Sequence, residues 1–327
     1  MSRTISITRD IFPLAVSFNI SRGAKTEAHV LTVTIQEDGK TGQGECVPYA
    51  RYGESLESVT AQIESIVPQL QSGLDTTGLQ TALPAGAARN AVDCALWDLR
   101  AKQEGVSVAH LWGMSPLHGV ETAYTLSLDT AELMGQAAHA ASHHPILKIK
   151  LGGRGDPDRV RAVHSAAPHC KIIVDANEAW TPDTLIENML ACADVGVSLI
   201  EQPLPASDDA ALASVPHPVP ICADESAHTS ETVSTLKSRY DVINVKLDKT
   251  GGLTEAMKLA ARCRSEGFGV MMGCMVGSSL AMAPAILPAQ MATFVDLDAP
   301  LLLSKDRQHA LHYVNSMIAP PPAALWG

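Results

Sequence analysis

Ile146-Leu147-Lys148-Ile149-Lys150 and Ile172-Ile173-Val174-Asp175-Ala176-Asn177 are short apolar runs that each end on a charge or polar group, and the pattern recurs three more times downstream. Ser198-Leu199-Ile200-Glu201, Ile221-Cys222-Ala223-Asp224-Glu225 and Val242-Ile243-Asn244-Val245-Lys246 complete the set. Such runs, set between helical stretches, read as strands of a parallel sheet covered on both faces. Counting the further runs that end at Ser127, Met272 and Asp296, eight strand ends fall 22 to 26 residues apart. Eight β/α units at a near-constant repeat predict an α/β fold whose larger part is a (β/α)8-type barrel. An open doubly wound sheet is the competitor, weakened because no G-x-G-x-x-G follows any strand.

Upstream the pattern changes. Ser6-Ile7 and residues 29–35 alternate as strands, Glu37-Asp38-Gly39-Lys40 is a hairpin turn, and a return strand runs to Glu45. Helical spacing follows in Leu56, Val59, Ile63, Ile66, Val67 and Leu70, and again over residues 87–102. Strands first and helices after predict a small α+β domain over residues 1–118, with the barrel over 119–327.

The chain has 327 residues, 46% hydrophobic and 18% charged, which is ample for a packed core and excludes a disordered or collagen-like chain. Its 24 Lys and Arg against 35 Asp and Glu give a net charge of −11, so no general basic field exists to hold nucleic acid or an anionic membrane. Seven cysteines, an odd number with no C-x-x-C, read as free thiols of a reducing cytoplasm. Residues 1–10 lack the apolar run of a signal peptide. Residues 267–295 are free of charge, but Gly267, Gly269, Gly273, Gly277, Pro284 and Pro288 break them into strand, loop and buried helix rather than a membrane span. Gly39-Lys40-Thr41 lacks the earlier glycine of a phosphate-binding loop, Gly152-Gly153-Arg154-Gly155 lacks dinucleotide spacing and reads as a flexible loop, and Gly277-Ser278-Ser279 is no nucleophile elbow. Oligomeric state is not legible.

A barrel places its chemistry at the C-terminal ends of its strands. Any one charge there has a plain explanation, the chain emerging into water. Jointly, Asp175, Glu201 and Asp224 on adjacent strands are three hard oxygen donors pointing at a common spot. Such a set suits Mg²⁺, since three carboxylates so close repel without a cation between them. Lys148 and Lys150, two apart, share one strand face, and Lys246 faces them from the sixth strand. An unperturbed lysine, near ~10.4, is a poor base, but Mg²⁺ and a second ammonium lower it. Lys148 is expected to lower Lys150 and to help hold the enolate oxygen. Two such bases on opposite faces of one carbon, one removing a proton and the other returning it, invert the stereocentre.

Together Lys148-Ile149-Lys150, Asp175-Ala176-Asn177, Glu201-Gln202-Pro203, Asp224-Glu225-Ser226 and Asn244-Val245-Lys246 resemble the enolase superfamily, muconate-lactonizing subgroup. The resemblance covers nearly the whole chain. It implies that the first domain is a capping domain whose loops, near residues 19–25 and 46–54, close over the barrel mouth. Residues 244–256 and Asp296-Leu297-Asp298 resemble the dipeptide epimerases of that subgroup. This implies a small dipeptide as partner, L-Ala-D-Glu from cell-wall peptide turnover, interconverted with L-Ala-L-Glu. It also implies that Asp296 and Asp298 bind the free α-ammonium, where the plain reading of D-x-D is a helix start. Arg22 and Lys25 are the cations available for a glutamate side chain, and Thr125 or Ser127 is expected to line the pocket from the first barrel strand. Tyr49, Arg51 and Tyr52 either exclude water or decorate the surface. Rival readings are o-succinylbenzoate synthase or a cycloisomerase, a Schiff-base lysine aldolase, and an inactive metal-binding barrel.

Overall fold

The computed structural model describes residues 3–327. Met1 and Ser2, which open the expected first domain and the run read as lacking a signal peptide, lie outside the described residues. Three antiparallel strands come first: β1 (Thr4–Ile20), β2 (Gly23–Glu37) and β3 (Lys40–Cys46). The β2–β3 turn uses Asp38 and Gly39, both at positive φ (51° and 74°), the geometry that matches the twist of a two-residue hairpin.

Helices α1 (Leu56–Ser65), α2 (Val67–Gln71), α3 (Thr76–Ala82) and α4 (Ala87–Glu104) follow. The single helical run read over Leu56 to Leu70 divides at Ile66, because Pro68 stands in the first turn of α2 and cannot continue the ladder of the preceding helix. β3 lies directly on α4. A Cβ at Gly44 would stand 2.1 Å from the Ala91 carbonyl oxygen, so the two glycines of Gly42-Gln43-Gly44 let the layers meet. Leu31, Val33, Ile35, Val59, Ile63, Ala91 and Leu99 fill the space between sheet and helices.

A short strand β4 (Val120–Glu121) precedes eight parallel strands: β5 (Tyr124–Leu126), β6 (Ile146–Lys150), β7 (Lys171–Asp175), β8 (Leu199–Glu201), β9 (Ile221–Ala223), β10 (Val242–Val245), β11 (Gly269–Met272) and β12 (Phe294–Val295). They pair in sequence order, β5 through β12, so the eight expected strands are present. The observed ends lie at or within one residue of those read from the sequence. Full helices follow β5, β6, β7 and β10, whereas only 3-10 turns, Ala210–Ser214 and Val233–Leu236, follow β8 and β9. Ala123, just before β5, donates its N–H to the carbonyl of Val295 on β12 at 2.9 Å.

The inner faces of these strands form a separate apolar cluster of Ala123, Ile173, Leu199, Cys222, Val242 and Met271, with Ile146 and Phe294 packed against it. Each of the eight strands or its first flanking residue contributes one side chain. A third cluster, Leu14, Val30 and Val47 with Met275, Leu302 and Leu303, joins the first three strands to the later part of the chain. Among the described residues no helix is long and apolar enough to cross a membrane.

Candidate active site

Strand side chains alternate in direction, so residues two beyond the apolar cluster face the same way and stand one layer higher. From Ala123 this step reaches Thr125; from Ile146, Lys148 and then Lys150; from Ile173, Asp175; from Leu199, Glu201; from Cys222, Asp224. From Val242 it reaches Asn244 and Lys246, and from Phe294, Asp296, while Asp298 stands beyond β12 at the start of the one-turn helix Ala299–Leu302 and enters the same cavity from there. These side chains are nearly all buried, and Thr125, Lys148, Lys150, Asp224, Lys246, Asp296 and Asp298 line a cavity of about 700 Å³. Its opposite wall comes from the first strands and the loop after them, including Phe18, Arg22, Lys25, Tyr49 and Arg51.

The acids and amines alternate in space. Lys150 Nζ lies 2.6 Å from Asp175 Oδ2, and Lys246 Nζ lies 2.7 Å from Asp224 Oδ2. Lys148 Nζ lies 2.6 Å from both Glu201 Oε2 and Asp296 Oδ2, and 3.3 Å from Asp175 Oδ2. In strand order, Lys150 and Lys246 stand on β6 and directly after β10, at either end of the three strands carrying the acids.

Burial opposes charge on every one of these groups, and the balance differs among them. At Asp175, burial is outweighed by Lys150 and Lys148, which hold the carboxyl below the usual range. At Asp224, Lys246 and Lys249 outweigh burial and hold it well below. Glu201 is pushed up, by burial first and then by Asp175. Burial also works against the Lys148 and Lys246 ammoniums, yet Asp296 and Glu201 hold Lys148 well above its ordinary value, and Asp224 and Glu201 do so for Lys246. Carboxylates are the nearest charged neighbours of both lysines.

The three acids also differ from the expected common focus. Among the described residues no three acidic, His or Cys side chains converge closely enough to hold an ion, because each carboxylate is drawn to a lysine. The donor chemistry nonetheless fits a hard divalent cation: three buried carboxylates, with Glu201 Oε2 ion-paired to Lys148 but without an aligned hydrogen bond. Asp175, Glu201 and Asp224 are the residues that could hold it.

The other expected substrate-binding residues divide. Thr125 lines the cavity, its N–H bonded to Asp298 Oδ2 at 2.6 Å. Asp296 and Asp298 also line it, and burial, then Asp296, pushes Asp298 up to about 7. Ser127 does not reach the cavity. Directly after β5, which ends at Leu126, the Ser127 hydroxyl is taken by the first strand, accepting the Asn19 N–H at 3.3 Å beside a separate, smaller cavity.

The expected closing loop at 19–25 is mostly strand. Phe18 to Ile20 pair with Gly23 to Lys25, which leaves only Ser21 and Arg22 at a hairpin tip. Arg22 is committed to the protein: its guanidinium bonds to Glu225 Oε1 (2.7 Å), the Asn177 carbonyl (3.0 Å), Tyr49 Oη (3.0 Å) and Glu178 (3.2 Å). Lys25 has no carboxylate partner among the described residues, and its Nζ lies 5.2 Å from the centre of the Tyr49 ring. The residue as a whole is exposed, but burial around its ammonium, then Arg22, lower its pKa.

Sequence reasoning missed three participants. Asn244 donates to Glu201 Oε1 at 2.7 Å, and its position two before Lys246 was the available signal. Lys249 is turned back by the one-turn helix Leu247–Thr250 and puts Nζ 2.6 Å from Asp224 Oδ1. Gln202, at φ 34°, ties β8 to β9: its Oε1 accepts from the N–H of Asp224 (2.8 Å) and of Ser226 (3.1 Å).

Residues 2–113 match the mandelate racemase/muconate lactonizing enzyme N-terminal domain, and residues 129–324 match the enolase C-terminal domain-like family. The chain belongs to the mandelate racemase/muconate lactonizing group of the enolase superfamily. It is 47% identical over 315 residues to the L-Ala-D/L-Glu epimerase of Escherichia coli (strain K12), covering 96% of this chain and 98% of that one. It is 46% identical to an N-acetyl-D-glutamate racemase of Pseudoalteromonas sp over 300 residues, covering 91% and 95%. An enolase family member from Agrobacterium tumefaciens with homology to dipeptide epimerases, solved with bound sodium and L-Ala-L-Glu, superposes with a TM-score of 0.98 at 50% identity, covering 99% and 100%. The dipeptide epimerase from Enterococcus faecalis V583, complexed with Mg and L-Leu-L-Tyr, gives 0.90 at 29%, covering 98% and 97%. Isomerase is the enzyme class this chain shares with such relatives.

Proposed function

We propose that the protein is a Mg²⁺-dependent epimerase that inverts the α-carbon of the C-terminal residue of a dipeptide, converting L-Ala-D-Glu to L-Ala-L-Glu. The observation that carries this reading is the placement of Lys150 and Lys246 at opposite ends of one row of buried carboxylates in one cavity. One lysine, as neutral amine, takes the α-proton from one face, and the C–H electron pair passes into the substrate's own carboxylate. The other, as ammonium, returns a proton to the opposite face and re-forms the C–H bond with inverted configuration. Held by Asp175, Glu201 and Asp224, Mg²⁺ would neutralise the charge that develops on that carboxylate and draw the acids away from the lysines. Lys148, buried between Glu201 and Asp296, adds positive charge beside the enolate oxygen.

Asp296 and Asp298 receive the substrate's ammonium, and Lys25, a mouth cation without an acidic partner among the described residues, faces the glutamate side chain. The strand array closes between β5 and β12 in this reading, supported by the Ala123–Val295 bond and by the apolar cluster that draws on all eight strands. The division at residues 118/119 belongs to it as well, supported by a core of first-domain residues alone, Leu31 to Leu99, although Cys94, Trp97, Ala101 and Val108 pack into the barrel's core. A cytoplasmic location is supported by seven free cysteines.

A second reading, racemisation of an N-acylated glutamate without an ammonium, is favoured by one observation: Lys148 already neutralises Asp296. Incubation of L-Ala-D-Glu and N-acetyl-D-glutamate with protein and Mg²⁺ in D₂O separates the two. The proposal expects one deuterium gained and inversion in the dipeptide, abolished by EDTA and restored by Mg²⁺. Exchange in the acetylated acid alone, or in neither, contradicts it.

A further inference from the structure

The side chain of Glu178 does not line the cavity, yet two cavity-wall segments that are remote in sequence converge on it. Arg51, in the one-turn helix Ala50–Tyr52, grips it with both arms, Nε to Oε2 at 2.8 Å and Nη2 to Oε1 at 2.7 Å. Arg22, at the hairpin tip, reaches Oε2 at 3.2 Å. A third segment, the loop after β8, donates the Ala206 N–H to Oε1 at 2.8 Å. The carboxylate is thereby filled, and its side chain is 9% exposed.

Glu178 is held for this task at some cost. Its φ is 66°, in the left-handed region that non-glycine residues seldom occupy, and its N–H is fixed to the Gln202 carbonyl at 2.9 Å. Arg51 has no other ion-pair or hydrogen-bond partner among the described residues. Two guanidiniums that would otherwise repel are brought together by one charge between them. The geometry points to Glu178 as a positioning residue that makes the seating of the hairpin tip and of the residue-51 helix over the mouth a single event. This rests on the reading of the cavity as the active site, although its test does not require turnover.

Amide hydrogen exchange of the full chain tests it in wild type, Arg51→Ala, Glu178→Gln and the double variant. Arg51→Ala is expected to speed exchange at residues 19–25, in the other segment, by about tenfold, with Glu178→Gln speeding exchange in both segments. The double variant should match Glu178→Gln alone, and α4 should stay as protected as in wild type. Unchanged exchange at 19–25 in Arg51→Ala overturns the proposal. So does a double variant faster than Glu178→Gln by the full Arg51→Ala factor, since the direct Arg22–Tyr49 bond would then carry the coupling. If Glu178→Gln does not fold, Tyr49→Phe, which removes the direct Arg22–Tyr49 bond, replaces it: Arg51→Ala should still speed exchange at 19–25 in that background, and no effect there overturns the proposal. The Michaelis constant for L-Ala-D-Glu should rise in Arg51→Ala and be partly restored in Arg51→Lys, and absence of turnover would sink the functional reading while leaving the exchange result intact.

Discussion

Leu199 and Glu201 stand two residues apart on β8, face the same way, and are both fully buried. Leu199 belongs to an apolar layer in which each neighbour gains from contact. Glu201 belongs to the layer above, where burial and Asp175 both disfavour its ionised form. One strand therefore carries, a single layer apart, a residue that stabilises the fold and one that the fold must tolerate. Charge retained against the interest of stability marks a layer whose purpose is chemical.

The widest separation is expected in the upper layer. Glu201→Gln should lower epimerisation by about 10³-fold and weaken Mg²⁺ binding in calorimetry, while unfolding free energy stays within about 1 kcal/mol of wild type. A large loss of stability with activity preserved would reverse the assignment of the two layers. Leu199→Ala should do the opposite, costing about 2–5 kcal/mol in denaturant unfolding, with activity per folded molecule retained. Asp248 offers a smaller and signed effect. Burial, opposed by bonds from the Val47 N–H and Asn90, pushes it up to about 7. A raised carboxyl lends its stability below the unfolded value, near ~4, and loses it as pH rises through the folded one. Asp248→Asn should thus exceed wild type by on the order of 1–3 kcal/mol at pH 8 and not at pH 4, measured by unfolding at both. Ser127→Ala should be the quietest, within about 0.5 kcal/mol and with an unaltered Michaelis constant, because its hydroxyl serves the Asn19 backbone outside the cavity.

The two layers were also unequally legible. Strand ends, the inward face and the identities of Lys148, Lys150, Asp175, Glu201, Asp224 and Lys246 follow from period two and an apolar run that stops on a charge. Those are local signals. What the lysines do to the acids was not legible, because the pairing depends on distances across strands far apart in sequence. Arg22 shows the same limit: its spacing presented a free cation, whereas Glu225, more than two hundred residues later, takes its guanidinium. Ser127 misled because its hydroxyl is taken by the Asn19 backbone, a contact across more than a hundred residues of sequence. Pro68 could have divided the first helical run from sequence alone.

The central claim is that Lys150 and Lys246 serve opposite faces of one carbon. Lys150→Ala and Lys246→Ala, each incubated in D₂O with L-Ala-D-Glu and separately with L-Ala-L-Glu, test it by mass spectrometry and chiral analysis. The account predicts that neither variant interconverts the isomers, and that each retains exchange into a different one. Interconversion by either variant, or exchange of the same isomer by both, would contradict it.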